Sequence, residues 1–451
     1  MKVKYLLSFW IWSISLLAMG QGQEEKNWAI SPDIHYRSFW MNTAYPRMDY
    51  RSDHALGMSL NLGTKIHYQD NWELGVGYRM YGNVVSTEFW TPDPVSGKAS
   101  RYEPGLFDLQ NPQDRIFGTL ERLYLGYEQN KFGVKIGRMG INQDWVNAQD
   151  GRLGPTMIEG LHTWFQPEDS WKFSLWAIHR FSIRGGKGWL SPGETIGLFP
   201  SGRSESGTAS AYAGKTQSPW VGILEIDRDW QEGWTLHYSN TLAANLFNTS
   251  MLQIEKTRKM ENSSWRYGLQ LGYQAGIGDG GDEHPDFRYK NPDDRNYSFS
   301  TRILWKPRQW TMHLNYTHVD GKGRWLSPRE WGKDAWYTFI PRERNEGNSQ
   351  LDALTAYIGY KLVELPLSFY TWGGLHWLPD MADAEANKYN MPSYRQLNLG
   401  MKYQPKNIKG LDVHLILVNK EPMKKEGLTD GQIFNKVEML HFNAMLNWRW
   451  N

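Results

Sequence analysis

The chain has no cysteine among its 451 residues. Cell-envelope proteins can lack cysteine altogether, so the absence is compatible with export and fixes no redox compartment. It also lacks a charge excess: 50 basic residues face 48 acidic ones, so no bulk field points to nucleic acid. Mean hydropathy is −0.64, which excludes a bundle of membrane helices. It does not exclude membrane-crossing strands, which are apolar on one face only. Motifs of catalysis are missing too, with no G-x-S-x-G, H-E-x-x-H or G-x-x-x-x-G-K-[ST]. "GDGGDEHPD" (278–286) lacks the ligand spacing of a calcium loop, and the histidines show no metal spacing. No cofactor is expected, and no His/Ser/Asp grouping argues for a hydrolase.

What is present starts with an address. "MKVKYLLSFWIWSISLLAMG" carries Lys2 and Lys4, an apolar run from Tyr5 to Leu17, and small residues at Ala18 and Gly20. This is the pattern of a cleaved signal peptide, residues 1–20, leaving 21–451 as one mature domain. From there one theme recurs. "ALGMSLNLGTKIHY" places Leu56, Met58, Leu60, Leu62, Ile66 and Tyr68 on one face; "WELGVGYRMY" and "MLHFNAMLNWRW" repeat the period of two. Such alternation means strands with one apolar and one polar face. Several runs approach the roughly 9–11 residues that cross a bilayer at a tilt.

The connections alternate as well. Short turns fall at 69–71, 129–131, 166–170, 231–233, 261–264, 306–309, 364–366 and 404–410. Long segments rich in Gly, Pro and Asp lie between them, notably 83–119, 182–218, 276–296, 321–350, 379–392 and 421–437. Short periplasmic turns and long outer loops are the asymmetry of a transmembrane barrel. Trp72, Trp171, Trp234, Trp265 and Trp310 all follow short turns, as an aromatic girdle requires. The expectation is an all-β fold: a single transmembrane antiparallel β-barrel of about 18 strands, closed so that no edge meets lipid.

Two stretches carry a family resemblance. "KIGRMGINQDWVNAQDGRLGPTMIEGL" (135–161) and "REWGKDAWYTFIPRERNEG" (329–347) resemble the third and seventh outer loops of OprD-type outer-membrane porins. The resemblance implies a Gram-negative outer-membrane location and inward-folding loops that narrow the pore. It also implies a ladder of basic side chains guiding carboxylate-bearing nutrients. Asn451, following Trp450, departs from strands that end on the aromatic.

The register of each strand supplies inward candidates: Lys65, Arg79, Arg122, Lys135, Arg302, Lys361, Lys402 and Arg449, against Glu73, Glu128 and Asp412. A basic column would concentrate anionic solutes, and arginine matches a carboxylate with a planar fork. The alternative is that these bases pair with acids or simply solvate the lumen. At the constriction, Asp144, Asp150 and Arg152 of the third loop are expected to meet the basic ladder, while Arg324, Arg329, Arg342 and Arg344 of the seventh face solutes or pair with Glu330, Glu343 and Glu346. One or two of these four arginines would touch solute, with Trp325, Trp331 and Trp336 wedging the loop. The expected function is a porin for small anionic or zwitterionic solutes in outer-membrane lipid, as monomer or homotrimer. A non-conducting barrel acting as adhesin or structural envelope protein is the alternative.

Overall fold

The computed structural model describes residues 27–149 and 152–450; the expected signal peptide, Asp150 and Asn451 lie outside the described residues. Eighteen antiparallel strands pair in chain order. The first six are β1 (Trp28–Ala44), β2 (Asp53–Tyr68), β3 (Trp72–Ser86), β4 (Ile116–Gln129), β5 (Phe132–Gly140) and β6 (Met157–Glu168). Next come β7 (Trp171–Ser182), β8 (Val221–Asp229), β9 (Trp234–Ala243), β10 (Phe247–Met260), β11 (Ser263–Gly276) and β12 (Arg295–Pro307). The last are β13 (Trp310–Lys322), β14 (Leu351–Lys361), β15 (Leu367–Trp377), β16 (Tyr394–Tyr403), β17 (Leu411–Pro422) and β18 (Met439–Trp450). β1 meets β18 from Ile34↔Trp450 to Ala44↔Leu440, so the sheet closes and leaves no edge.

Alternation explains the two faces. Outward residues such as Leu74, Leu125, Ile136, Leu175, Leu271, Ile303, Leu314 and Leu399 are exposed, which is the burial of lipid rather than of a protein core. Rings gather at the end with the short turns: Trp72 against Tyr127, Trp310 against Tyr360, Trp28 against Tyr68. No helix among the described residues is long and apolar enough to cross a membrane.

Nine outer loops join the strands at the other end, here L1 to L9. L2 covers 87–115, L3 141–156, L4 183–220, L6 277–294, L7 323–350, L8 378–393 and L9 423–438. Several turn into the barrel, so the buried apolar clusters sit in its outer half. One joins L2, L9 and the β1–β2 wall; the others gather L3, L4 and L7 with the walls beside them. Trp325, Trp331 and Trp336 are almost wholly buried, at 0%, 1% and 2% exposure, as the wedge reading required.

A loop inside a barrel must still satisfy its backbone. Inward glutamines of β11 do this for L7. Gln274 accepts from the Leu326 N–H at 2.8 Å and donates to its carbonyl at 2.8 Å. Gln270 does likewise for Tyr337 (3.2 Å) and Ala335 (3.1 Å). The indole N–H groups of Trp331 and Trp336 donate to Thr195 (2.7 Å) and Ser298 (3.0 Å).

Candidate functional site

From the short-turn end, the lumen opens into a cavity of about 560 Å³ lined by Lys65, Arg122, Lys135, Lys172, Glu128 and Asp33. It continues through shared walls into one of about 520 Å³ lined by Arg37, Arg79, Arg122, Glu121 and Arg449, roofed by Leu153–Pro155 of L3. Arg79, Asn61, His35 and Arg449 form one inward row across β3, β2, β1 and β18. Of the expected inward bases, Lys65, Arg79, Arg122, Lys135 and Arg449 line these two cavities.

Their charge is partly answered. Arg79 pairs with Glu121, Arg122 with Asp33, and Lys135 with Glu73 at 2.8 Å. Glu121 escaped the sequence reading for a physical reason. The β3–β4 register slips between Gly77 and Tyr78, so Glu121 and Arg122 both turn inward at a bulge. The trace was in the sequence: Leu120 and Leu123 are three apart, where the outward leucines should step by two. Lys65 and Arg449 remain without an ion pair among the described residues, and Lys361 stands exposed at the inner mouth.

L3 and L7 are zipped together across the lumen. The Asn147 N–H donates to the Trp331 carbonyl at 3.0 Å, and Gln149 Nε2 to the Arg329 carbonyl at 2.6 Å. Thr156 Oγ1 donates to the Glu330 carbonyl at 3.1 Å. Gly332 lies so close to the Trp145 carbonyl that a Cβ would stand 2.4 Å from it. Ser59 Oγ anchors L3 to the wall, donating to the Leu153 carbonyl at 2.6 Å.

Asp144 does not face the basic wall. It accepts from Ser239 Oγ at 2.5 Å and lies 3.4 Å from His237 Nε2, beside Glu225 and Asp227. β9 is nine strands from β18 in a barrel of eighteen, so acids and Arg449 occupy opposite walls.

Where L3 and L7 meet, four arginines converge. Arg152 of L3 is 7% exposed; Arg342 and Arg344 of L7 are half-buried. The fourth, Arg184 at the start of L4, was not anticipated. Burial and the charges of Arg152, Arg344 and Arg342 hold its guanidinium well below the usual arginine range, against a pull from Glu330. It packs on Phe199 at 4.7 Å and makes no ion pair among the described residues. Arg342 and the neighbouring Gln149 both take left-handed backbone (φ 85° and 63°), conformations that persist only where the surroundings impose them. Arg344 donates to Gln149 Oε1 (2.9 Å) and the Arg329 carbonyl (3.1 Å).

The other expected arginines hold loops. Arg324 donates to the carbonyls of Ala384 and Arg203, both at 2.8 Å, tying L7 to L8 and L4. Arg302 lies 4.3 Å from the Tyr337 ring and bonds Asn315 at 2.8 Å, beneath L7. Arg329 pairs with Glu346 and lies 3.8 Å from Glu343. Glu343 is the hub: Arg101 grips it through 3.1 and 3.2 Å contacts, and Lys420 meets it at 2.6 Å.

No protein-family model and no curated protein matches this chain. Solved structures do. OccAB2 of Acinetobacter baumannii superposes with a TM-score of 0.70 at 12% identity, covering 95% of this chain and 99% of its own. OccK8 (OprE) of Pseudomonas aeruginosa gives 0.70 at 12%, covering 93% and 98%. OpdK of the same organism, crystallised with vanillate, gives 0.68 at 12%, covering 93% and 98%. The chain thus has the fold of the OprD/Occ outer-membrane porins along nearly its whole length.

Proposed function

We propose that this barrel is an outer-membrane channel for small hydrophilic solutes, selective for those bearing carboxylates. One observation supports it best: Arg152, Arg184, Arg342 and Arg344 come from three loops to one place, between the inner cavities and the outer mouth. Bringing four guanidinium groups together is unfavourable unless an anion or nearby carboxylates offset the repulsion. A transient solute carboxylate does so and finds planar forks ready for it. Asp144, with Glu225 and Asp227 on the far wall, gives the path a transverse field that orients dipolar solutes.

OpdK's vanillate is an aromatic carboxylate, in keeping with this reading. Planar-bilayer recording on the folded mature protein tests it, with benzoate and succinate as competing solutes. Discrete conductance steps blocked by both, and less so in Arg184→Ala, are expected. Block by a cationic amino acid instead would move the binding side to Asp144. The depth to which L7 fills the outer lumen favours one alternative, a silent barrel whose loops bind another surface. A folded barrel with no conductance in any solute would overturn the channel reading and favour that alternative.

A further inference from the structure

Above L7 lies a separate cavity of about 430 Å³, walled by L2, L4, L7, L8 and L9. Seven of its lining side chains are basic and one, Glu343, is acidic. Arg101 and Arg329 are paired with Glu343 and Glu346. Lys98, Arg203, Arg344, Lys388 and Lys436 make no ion pair among the described residues.

Lys388 is the most unusual of them. Its side chain is 2% exposed, yet its ammonium makes no hydrogen bond or ion pair with any described group. Three tyrosine faces surround it instead, Tyr289 at 4.7 Å, Tyr212 at 5.0 Å and Tyr389 at 5.4 Å. Cation–π attraction offsets part of its desolvation but supplies no counter-charge. The nearest carboxylates are committed elsewhere: Glu346 to Arg329 and Tyr389, and Glu330 to the N–H groups of Gly197 and Phe199. The cage is built, not incidental. Gly202 and Gly347, both at positive φ (74° and 90°), close around Lys388 and Tyr389 where any Cβ would collide.

We infer that this outer cavity is a subsite for small solutes carrying two or more negative charges, centred on Lys388 in its tyrosine cage. The inference rests on the channel reading for the solute's onward route. Oxyanions of either kind, polycarboxylates or phosphate esters, fit the chemistry: several cations converge, and one charge would leave most unanswered. A monocarboxylate satisfies the arginine cluster below but not this cavity. Proton linkage supports the reading. Burial lowers the Lys388 ammonium to about 8 despite Glu346 and Glu330, with Arg324 and Arg329 also against it. Burial and the charges of Lys98, Arg101 and Arg203 lower Lys436 to about 7, opposed by Glu343. A bound polyanion would restore both protons.

The test is a calorimetric titration of the detergent-folded full barrel with acetate, citrate and glucose 6-phosphate, at pH 6.5 and fixed ionic strength. Citrate or the sugar phosphate should bind at least tenfold more tightly than acetate, and comparing the two separates carboxylate from phosphate recognition. Lys388→Met should abolish that margin, while Lys259→Met, exposed at the short-turn end of β10, leaves it in place. Heat-modifiable migration confirms that each variant is folded; should Lys388→Met not fold, Lys436→Met serves, with a severalfold loss expected. Equal affinities for mono- and polyanions, or an undiminished margin in the folded lysine variants, would overturn the inference. Because binding is read without current, a silent barrel that still binds citrate refutes the channel and not the subsite.

Discussion

The two halves of the lumen handle charge differently. In the inner half, strand-borne acids answer part of the basic wall, as in Arg122–Asp33 and Lys135–Glu73, beside open cavities. Around the outer cavity, loop-borne bases outnumber acids, and Glu343, the one carboxylate that lines it, serves as a fastener. A wall whose bases are partly answered lets a solute pass, whereas the denser cluster of bases in the outer cavity makes it pause. Selectivity is therefore expected to reside in the outer half, with the inner half as conduit.

The largest effect should come from cutting the fastener. Glu343→Ala leaves Arg101, Arg329 and Lys420 facing one another, a loss of about 3–5 kcal/mol for a buried ion network. A lower thermal midpoint and noisier, larger currents are the expected readouts. Trp336→Ala removes the wedge beside Ser298 and should cost about 3–5 kcal/mol, again releasing L7. Arg184→Ala is milder for the fold; its mark is a severalfold drop in the anion-to-cation permeability ratio.

Acidity sharpens the contrast further. Lys436 and Lys388 lose their protons near pH 7 and 8 in the folded barrel, well below the free lysine range. Raising pH from 6 to 9 should thus weaken citrate binding in the outer cavity. Over the same window the unfolded chain holds more protons than the folded one, so these two lysines make stability rise with pH, which thermal melts at several pH values would reveal. Smallest of all, Asp33→Asn removes the partner of Arg122, which still borders the inner cavities, and should raise anion preference only slightly, with little change in melting.

Strand alternation made the barrel legible, because lipid outside and water inside impose a period of two that only a few bulges interrupt. The turns and the girdle tryptophans followed from the same logic, whereas the inward fold of L7 was expected from its resemblance to the OprD-type loop. The site was legible only in part. Arg152, Arg342 and Arg344 were identified from their loops, but Asp144 turned to β9 and Arg324 became a strut. Arg184, Arg101 and Lys388 went unseen, because their meeting is made by contacts between loops far apart in sequence, where no periodicity reports position. Glu121 fell to a one-residue bulge.

The most direct test of the account is the reversal potential of single channels under a potassium chloride gradient, native against Arg184→Ala. The account predicts an anion-selective native channel whose reversal potential moves toward zero in the variant. A cation-selective native channel, or an anion selectivity untouched by Arg184→Ala, would contradict it.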